Sequence, residues 1–383
     1  MSFVFKKQVL GLLDLIRFKK LVPNRRERFK NGSDSPLPKT YKVNEAAKIL
    51  HPGYRKAVLA EIREETADTK TFVFKTEKPF IFKAGQYATL GCNVDGSEVS
   101  RPYAMVCTAS DALEGKVGFT VKKTGFFSGY LFDRAKVGDE FTVGDPSGEF
   151  YYEPVKDAEK VVAIAGGSGI APFYTLACAI AEGTEKLDLT ILYGARTSKD
   201  FALKKELDAL AAIGKIKVVY VTSDEKKAGF EHGFIGRDLI TKYADGDFTV
   251  MMCGPNAMYA FLDKELAALN VPLRRIKKEP NCVGNRDVAE KEYKLTVHIG
   301  FDTYEVPAKS TETLLVAMER AGLRVPSKCR AGGCGFCHSR LVSGEFSIAG
   351  ADKRRLADLK FGYIHPCCSY PDSDMEIVVP KAK

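Results

Sequence analysis

Short apolar segments with alternating polar positions fill the chain from residue 53 to residue 152. Examples are KTFVFKTE, QYATLGCNV and VGFTVKK, and each is followed within a few residues by Gly, Pro or Asp. Alternation with a period of two places every second side chain on the same face of a strand. The pattern predicts a small antiparallel β-barrel over residues 53–152.

Residues 153–275 show a different pattern, in which apolar strands alternate with longer helical segments. The strands VVAIAG, LTILYG, IKVVYVT and FTVMMCG are apolar on both faces, and helical segments such as KDFALKKELDALAAI separate them. Strands buried on both faces are typical of parallel sheets covered by helices. The pattern predicts a doubly wound α/β domain.

One stretch in this region, residues 161–181, carries no charge and is long enough to cross a bilayer. Three glycines and a proline interrupt it, so a buried strand, a turn and a buried helix explain it better than a membrane span. After this domain, residues 276–290 are charged and contain Pro and Gly, which predicts a linker. The last segment, residues 291–383, opens with a predicted hairpin, YKLTVHIGFDTYEVP, and continues with a helix, a cysteine-rich loop and a closing strand, MEIVVP.

Ten cysteines in 383 residues are too few for a disulfide scaffold, and their clustering indicates a ligand set in a reducing compartment. Cys329, Cys334 and Cys337 follow the spacing C-x4-C-x2-C, and the doublet Cys367–Cys368 follows after 29 intervening residues. This spacing is that of plant-type [2Fe–2S] clusters. The loop is rich in glycine, so its backbone N–H groups can approach a negatively charged cluster.

Two other metal centres are alternatives for the cysteine loop. A structural zinc site usually combines two closely spaced pairs, whereas here the first gap is four residues and the fourth ligand is distant. A Rieske centre needs two histidine ligands, and neither His338 nor His365 shows the Cys-x-His spacing expected of one.

A glycine-rich turn, AGGSGIAP, follows the first strand of the predicted α/β domain. Gly167 and Gly169 supply the close backbone approach that a pyrophosphate needs at a helix N-terminus, although Pro172 stands where a third glycine is expected. An ordinary strand-to-helix turn is the alternative. LYGART and MMCGPNAM end later strands of the same sheet, at the edge where doubly wound folds bind ligands.

Together with RPYAMVCTAS at 101–110 and GFFSGYL at 125–131, these motifs resemble the ferredoxin–NADP reductase superfamily. Residues 291–383 resemble a plant-type ferredoxin, which implies a β-grasp (α+β) domain and aligns the family's last ligand with the first cysteine of the doublet. The order of flavin barrel, nucleotide domain and C-terminal ferredoxin domain is similar to that of reductases of the phthalate dioxygenase reductase type.

The resemblance implies a site for each of three cofactors. The flavin site would comprise Arg101, Pro102, Tyr103, Ala104, Gly125 and Ser128; the nicotinamide site Gly166, Gly167, Gly169, Pro172, Arg196, Cys253, Gly254 and Pro255; and the cluster site Cys329, Cys334, Cys337 and Cys367. Tyr103 would lie against the flavin ring and Cys253 beside the nicotinamide, which makes them the predicted catalytic residues. Cys368 falls at a position that the family usually fills with a polar residue that is not a ligand.

The chain departs from the family pattern at Ala104, where the family has a serine that contacts the flavin N5 edge. A backbone donor or Thr108 could replace that contact. Asp224 and Glu225 follow the third strand of the sheet and favour NADH, because carboxylates repel the 2′-phosphate of NADPH, although two lysines come next. FAD is favoured over FMN.

These motifs predict an oxidoreductase that transfers a hydride from NAD(P)H to a flavin, and then single electrons through an iron–sulfur cluster to a separate redox protein. A non-catalytic redox sensor and a reductase that acts directly on a small organic substrate are the alternatives. A cytoplasmic location is expected and nucleic-acid binding is not. The electron acceptor, the oligomeric state and the physiological direction of electron flow stay open.

The overall net charge of +9 is concentrated at the N-terminus. The first 60 residues carry 14 Lys and Arg against 4 Asp and Glu, so residues 1–52 form a basic extension outside the family resemblance. Asp14 interrupts its apolar run, and a signal peptide is not expected. Three roles remain open for this extension: a solvated arm or packed helix, a docking element for an acidic redox partner, or an interfacial membrane helix. The predicted amphipathic stripe comprises Phe5, Val9, Leu12, Leu13, Ile16, Lys19 and Lys20.

Overall fold

The computed structural model describes residues 53–281, 284–348 and 351–381, together with short pieces of the N-terminal segment: 16–19, 22–23, 26–27, 30–31, 41–43 and 45. The chain divides into two compact units, Met1–Pro52 and Gly53–Lys383. In the first unit, residues 16–19 are helical and exposed, and most of the predicted amphipathic stripe lies outside the described residues. Over the residues that are described, no helix has the length and apolar character that crossing a membrane requires.

Six antiparallel strands form the first domain of the larger unit. They are β1 (Tyr54–Thr66), β2 (Thr69–Thr76), β3 (Tyr87–Val94), β4 (Ser97–Val106), β5 (Lys116–Lys122) and β6 (Glu140–Gly144). They close into a barrel in the order β1-β2-β5-β4-β3-β6, as predicted. Alternate side chains, including Phe72, Phe74 and Phe119, point inward and are fully buried. Two short helices, α1 (Ala109–Leu113) and α2 (Phe126–Asp133), flank the barrel.

The second domain is the predicted α/β domain. Its strands are β7 (Lys160–Gly166), β8 (Asp188–Ala195), β9 (Ile216–Thr222), β10 (Glu231–His232), β11 (Thr249–Cys253) and β12 (Ile276–Lys278). Its helices are α3 (Ala171–Glu182), α4 (Lys204–Ala212), α5 (Arg237–Tyr243) and α6 (Asn256–Ala268). All strand pairs are parallel, and alternate residues of β7 belong to two different apolar clusters, so both faces of the sheet are covered.

The strand order β10-β9-β8-β7-β11-β12 changes direction at β7. β8 and β9 lie on one side of it and β11 on the other, which opens a crevice at the carboxyl ends of β7 and β11. The uncharged stretch 161–181 forms β7, a 3-10 turn (Gly167–Ile170) and α3, as expected for a buried strand, turn and helix. Strand β12 pairs with β11, so the sheet continues three residues into the segment predicted as a linker.

The C-terminal domain is a five-stranded sheet, in the order β14-β13-β19-β15-β17, with a separate two-stranded pair, β16-β18. The predicted hairpin is formed by β13 (Glu292–Ile299) and β14 (Asp302–Lys309), and the predicted closing strand is β19 (Met375–Val379). The helix α7 (Leu314–Arg320) buries Leu314, Ala317 and Met318 against this sheet. The remaining elements are β15 (Ser339–Ser343), β16 (Phe346–Ile348), α8 (Leu356–Lys360), β17 (Tyr363–Ile364) and β18 (Ser369–Pro371).

Strand β4 of the barrel contacts a helix of each other domain, α3 on one side and α7 on the other. Next to α3, the buried Gly85 N–H donates to Thr175 Oγ1 at 2.9 Å, and the same hydroxyl donates to the Pro172 carbonyl at 2.8 Å. Next to α7, Arg324 forms an exposed ion pair of 3.1 Å with Glu98. The strand predicted to bind flavin therefore lies between the other two domains.

Replacing Thr175 by Val keeps the shape of the side chain but removes the acceptor of the buried Gly85 N–H. We expect Thr175→Val to lose about 1–3 kcal/mol of unfolding free energy, because a buried donor is left without a partner. Thr175→Ser keeps the hydroxyl and should lose less. Chemical denaturation of both variants checks this, and wild-type stability of Thr175→Val would contradict it.

Candidate functional site

The cysteine loop lies between α7 and β15 and has a tightly curled backbone. Arg330, Gly332 and Gly335 have positive φ values of +50°, +78° and +68°. Glycine adopts this left-handed conformation without strain, whereas Arg330 adopts it at some energetic cost. The curl turns backbone N–H groups inward: Ala331 N donates to Cys329 Sγ at 3.4 Å and Phe336 N to Cys334 Sγ at 3.5 Å.

The four predicted cluster ligands form two pairs of thiols. Cys329 and Cys334 are hydrogen-bonded to each other, and so are Cys337 and Cys367. Within the described ranges, no group of three or more His, Cys, Asp or Glu side chains is arranged to bind a single metal ion. Two pairs fit a binuclear cluster, in which each iron takes two protein ligands. The donor set and the inward backbone N–H groups therefore fit a [2Fe–2S] cluster.

The two adjacent cysteines have different surroundings. The Cys367 sulfur is hydrogen-bonded to the Cys337 sulfur, whereas Cys368 Sγ donates to the His365 carbonyl at 3.4 Å. A Cβ on Gly332 would stand only 2.8 Å from Cys368 Sγ, so the Cys368 side chain packs under the loop backbone. Cys368 is a buried packing thiol that also hydrogen-bonds to its neighbour.

The buried His365 binds the loop backbone, and this contact was not predicted from the sequence. His365 Nδ1 lies 2.7 Å from the Gly332 carbonyl, and its Nε2 lies 2.9 Å from Asp358 Oδ2. Each contact uses one ring nitrogen, so His365 bridges the Gly332 carbonyl and the Asp358 carboxylate. The Arg355 guanidinium, with a further contribution from His365, holds the pKa of Asp358 below its usual range. The only signal in the sequence is a histidine two residues before a ligand, which also suits many other roles.

The predicted flavin strand places Arg101, Pro102, Tyr103 and Ala104 in succession along β4, all half-buried. The Tyr103 ring stacks on Phe127 of α2 at 6.3 Å between ring centroids and 23° between planes. The strand and the N-terminus of α2 are thereby adjacent. Among the described residues, apart from the adjacent backbone, no heavy atom lies within 4 Å of where a Cβ would stand on Gly125 or on Gly167, so both predicted phosphate-binding turns are open.

The two hydroxyls discussed for the flavin are engaged in helix capping. Ser128 Oγ accepts the N–H groups of Thr124 and Gly125 at 2.9 Å each and donates to the Gly125 carbonyl at 3.0 Å. Ser128 therefore shapes the turn that precedes α2. Thr108 Oγ1, considered as a substitute for the family's serine, accepts the Asp111 N–H at 3.0 Å and caps α1.

The predicted nicotinamide motifs meet at the crevice between β7 and β11. A Cβ on Gly169 would stand 2.1 Å from the Cys253 carbonyl oxygen, and one on Gly166 would stand 3.0 Å from Pro255 Cδ. The glycine turn and the Cys-Gly-Pro motif thus touch through their backbones, which only glycine permits. Pro172 lies in the first turn of α3. Burial, followed by the nearby Glu279, raises the pKa of Cys253 well above its usual range, so its thiol stays neutral.

Arg196 lies at the edge of this crevice, where the strands β8 and β9 end. The Asp224 N–H donates to the Arg196 carbonyl at 3.0 Å, and Glu225 accepts the Ser198 N–H at 2.7 Å. Arg196 and Asp224 are both exposed. The two carboxylates that favour NADH are therefore next to the predicted cofactor arginine.

Two residues just after β12 were not predicted and bind Met252 and Gly254, where β11 leads into the Cys-Gly-Pro motif. Glu279 N donates to the Met252 carbonyl at 3.0 Å, and Asn281 Nδ2 donates to the Gly254 carbonyl at 2.7 Å. Burial raises the pKa of Glu279 to about 8, and Cys329 adds to the shift. Glu279 is therefore within electrostatic range of both Cys253 of the nicotinamide motif and Cys329, a predicted cluster ligand. Nothing in a charged, Pro-containing segment distinguishes these residues from a linker.

One carboxylate joins the predicted flavin strand to the cysteine loop. Glu319 of α7 accepts Arg101 Nη1 through Oε2 at 3.1 Å and binds Arg330 through Oε1. Arg101 Nη1 also donates to the Ser100 carbonyl at 2.7 Å. Burial and the nearby Arg330 lower the pKa of Arg101, and the Arg330 Nε is buried with no hydrogen-bond partner among the described residues. The arginine predicted for the flavin is thus shared with the cluster loop.

Three family models match the larger unit of the chain. They are an oxidoreductase FAD-binding domain at residues 56–152, an oxidoreductase NAD-binding domain at 163–264 and a 2Fe-2S iron–sulfur cluster binding domain at 297–372. Their order is the predicted one. The chain belongs to the ferredoxin–NADP reductase superfamily, with a C-terminal [2Fe–2S] domain. The predictions of FAD, NAD and an iron–sulfur cluster are confirmed.

Individual relatives agree with this membership. The reductase is 27% identical to the NADH oxidoreductase HCR of Escherichia coli, over 82% of this chain and 94% of that protein. It is 29% identical to the ferredoxin reductase component of the 3-ketosteroid-9-alpha-monooxygenase of Mycobacterium tuberculosis, over 82% and 93%. The solved structure of phthalate dioxygenase reductase shares the fold, with a TM-score of 0.66 at 23% identity, over 86% of this chain and 98% of that one.

The reductase is therefore an NAD-dependent oxidoreductase with FAD and a [2Fe–2S] cluster. It takes electrons in pairs from the nicotinamide and delivers them singly to a separate electron acceptor.

Gly169→Ala tests the contact between the two nicotinamide motifs. The added Cβ would stand 2.1 Å from a backbone oxygen, so the turn or the end of β11 must shift. We expect the dissociation constant for NAD⁺ to rise at least about tenfold, or roughly 1.4 kcal/mol. Calorimetric titration measures it. Gly129→Ala, where nothing lies within 4 Å of the added Cβ, is the control and should bind NAD⁺ as wild type does; unchanged affinity of Gly169→Ala would refute the expectation.

The cysteine doublet is tested by single serine substitutions. Cys367→Ser should disturb the visible spectrum of the cluster, because it removes a sulfur of the Cys337 pair. Cys368→Ser should keep the spectrum, because that side chain packs against Gly332 and the His365 carbonyl instead. Absorption spectra and iron content of both purified variants decide between the two cysteines, and the opposite pattern would reverse the assignment.

Proposed function

We propose that the reductase is the electron-supplying component of a multicomponent oxygenase system. The 3-ketosteroid monooxygenase reductase component, which aligns over nearly its whole length, supports this class of acceptor. NADH supplies a hydride, FAD holds the electron pair and releases it singly, and the cluster carries one electron at a time when these groups are bound. The protein's own part is to bind, orient and shield them.

We assign the nicotinamide to the crevice at the carboxyl ends of β7 and β11. Gly167 would offer open backbone to the pyrophosphate, and Gly169 would let the turn lie directly against Cys253. The neutral Cys253 thiol would shape the position of the reacting carbon without acting as a nucleophile. Asp224, beside Arg196 at the adenosine end, would disfavour a 2′-phosphate and select NADH.

We assign the flavin to the groove between β4 and α2. Tyr103, backed by Phe127, would lie against the ring system, and the open turn at Gly125 would receive a phosphate. Ser128 would act indirectly, by fixing the backbone of that turn through its three hydrogen bonds. Arg101 keeps donor positions besides the Nη1 that binds Glu319, so it could bind a phosphate and Glu319 together.

The observation that carries the internal step of this proposal, electron transfer from flavin to cluster, is the shared carboxylate Glu319. It is 9% exposed and lies between the half-buried guanidinium group of Arg101 and the buried one of Arg330. Breaking a buried ion pair by removing one partner costs about 3–5 kcal/mol, because the remaining charges are stranded. Such a contact holds the flavin strand and the cluster loop at a fixed separation, which one-electron transfer between them requires.

Glu319→Ala should uncouple the two halves of the reaction. We expect bleaching of the flavin by NADH to stay within about twofold of wild type, while reduction of the cluster slows at least about tenfold. Anaerobic stopped-flow spectroscopy follows both steps at their own wavelengths. Glu319→Gln keeps the shape of the side chain and some of its hydrogen bonds. Its rate of cluster reduction should lie between those of the wild type and Glu319→Ala.

Glu98→Ala is the matched control, because its partner Arg324 joins the same two domains through an exposed pair worth about 0–1 kcal/mol. It should leave both rates and the stability unchanged. Wild-type cluster reduction in Glu319→Ala, or an equal effect in Glu98→Ala, would contradict the role given to Glu319.

A further inference from the structure

The cluster loop has one side that faces the rest of the chain and one that faces solvent. Arg330, beside Cys329, is buried against Glu319 and thus faces the flavin strand. Four positions beyond it, Cys334 is the exposed member of the ligand set, and the Phe336 ring is 46% exposed. Of the four predicted ligands, Cys334 is therefore the one that a molecule in solution can approach most closely.

Apolar side chains are exposed around Cys334. Helix α8 lies beside the loop. The guanidinium of Arg355, which directly precedes the helix, packs against Gly335 and interacts electrostatically with Cys334. Leu356 on this helix is 84% exposed, and Phe361 at its end is 70% exposed. Soluble proteins seldom expose apolar side chains in a group unless the group binds something.

The charges that surround these apolar side chains are predominantly positive. Residues 324–340 contain four Lys and Arg and no Asp or Glu, and residues 351–361 contain four Lys and Arg against two Asp. Of these cations, Arg330 is buried against Glu319 and Arg324 pairs with Glu98. Both aspartates are paired: Asp352 binds Arg354, and the buried Asp358 binds Arg355 and His365.

The lysines of this region differ from most of its arginines, four of which form ion pairs. Lys328 lies over the Phe336 ring at 4.7 Å, where it keeps its charge at the surface. Over the described part of the chain, Lys328, Lys353 and Lys360 form no ion pair, so their charge is available to an approaching molecule.

We propose that Lys328, Cys334, Phe336, Leu356, Lys360 and Phe361 form an exit surface that docks a redox protein with an acidic rim around its own redox centre. This proposal rests on the proposed function and names the chemistry of the acceptor. Cationic side chains around an apolar centre steer an acidic partner and then exclude water from the contact. One electron leaves the reductase at this surface, and the redox centre of the acceptor takes it up. No bond is formed or broken and no proton is exchanged.

The test uses two protein acceptors of opposite surface charge, an acidic cytochrome b5 and a basic cytochrome c. The full-length reductase is first reduced by NADH, and flavin and cluster reduction are recorded before any acceptor is added, so a failure of the proposed function is seen separately. We expect the second-order rate for cytochrome b5 to fall about tenfold or more between low and high salt, because salt screens exposed charges. The rate for cytochrome c should not fall.

The double variant Lys328→Glu, Lys360→Glu should lower the low-salt rate for cytochrome b5 at least about tenfold and abolish most of its salt dependence. Leu356→Ser should lower the rate without changing the salt dependence, because it removes apolar contact only. The control is Lys136→Glu together with Lys75→Glu, which changes the net charge equally at exposed lysines of the barrel that form no ion pair among the described residues. It should behave as wild type.

Three results would overturn the proposal. The first is a wild-type rate for cytochrome b5 that does not depend on salt. The second is an equal effect of the barrel control variant, which would make net charge the cause. The third is full salt dependence in the double variant, which would assign docking to another basic region, such as the N-terminal extension.

Discussion

Glu319 is buried between two guanidinium groups that come from different domains, and the working geometry of the reductase depends on that arrangement. Arg101 belongs to the strand predicted to bind flavin, and Arg330 is adjacent to the first cluster ligand. A carboxylate in this position is costly to desolvate and is stable only when both partners stay in place. The ion triad therefore favours one separation of strand and loop over all others. The exposed ion pair of Arg324 and Glu98 at the same boundary constrains the separation much less, because water competes for both groups.

The same principle, a polar contact that is satisfied in only one arrangement, recurs at the other two sites. The loop backbone is held from below by His365, which reaches Asp358 and the Gly332 carbonyl at once. The Cys-Gly-Pro motif is held by Asn281, which comes from the segment that leads to the ferredoxin domain. Each cofactor site is thus fixed by a residue that belongs to a neighbouring part of the sequence, so the three sites are positioned together.

The sequence predicted the elements and missed the contacts between them. Period-two and period-3.6 patterns identify the barrel and the covered parallel sheet, because burial repeats locally along a strand or helix. The C-x4-C-x2-C spacing identifies the cluster for the same reason, since most of its ligands are close in sequence. Glu319 and Asn281 act across 218 and 27 positions, respectively. No local pattern distinguishes them from surface residues. Ser128 shows the converse, because its motif predicts a phosphate contact while its hydroxyl shapes the turn.

The central claim is that electrons pass from flavin to cluster within one chain whose domains are held in contact. Anaerobic stopped-flow mixing of the full-length reductase with one equivalent of NADH tests it most directly when it is repeated over a wide range of protein concentration. Flavin bleaching followed by cluster reduction, with a second rate that does not change with protein concentration, is the predicted result. A cluster that stays oxidised, or a rate of cluster reduction that rises in proportion to protein concentration, would contradict the claim.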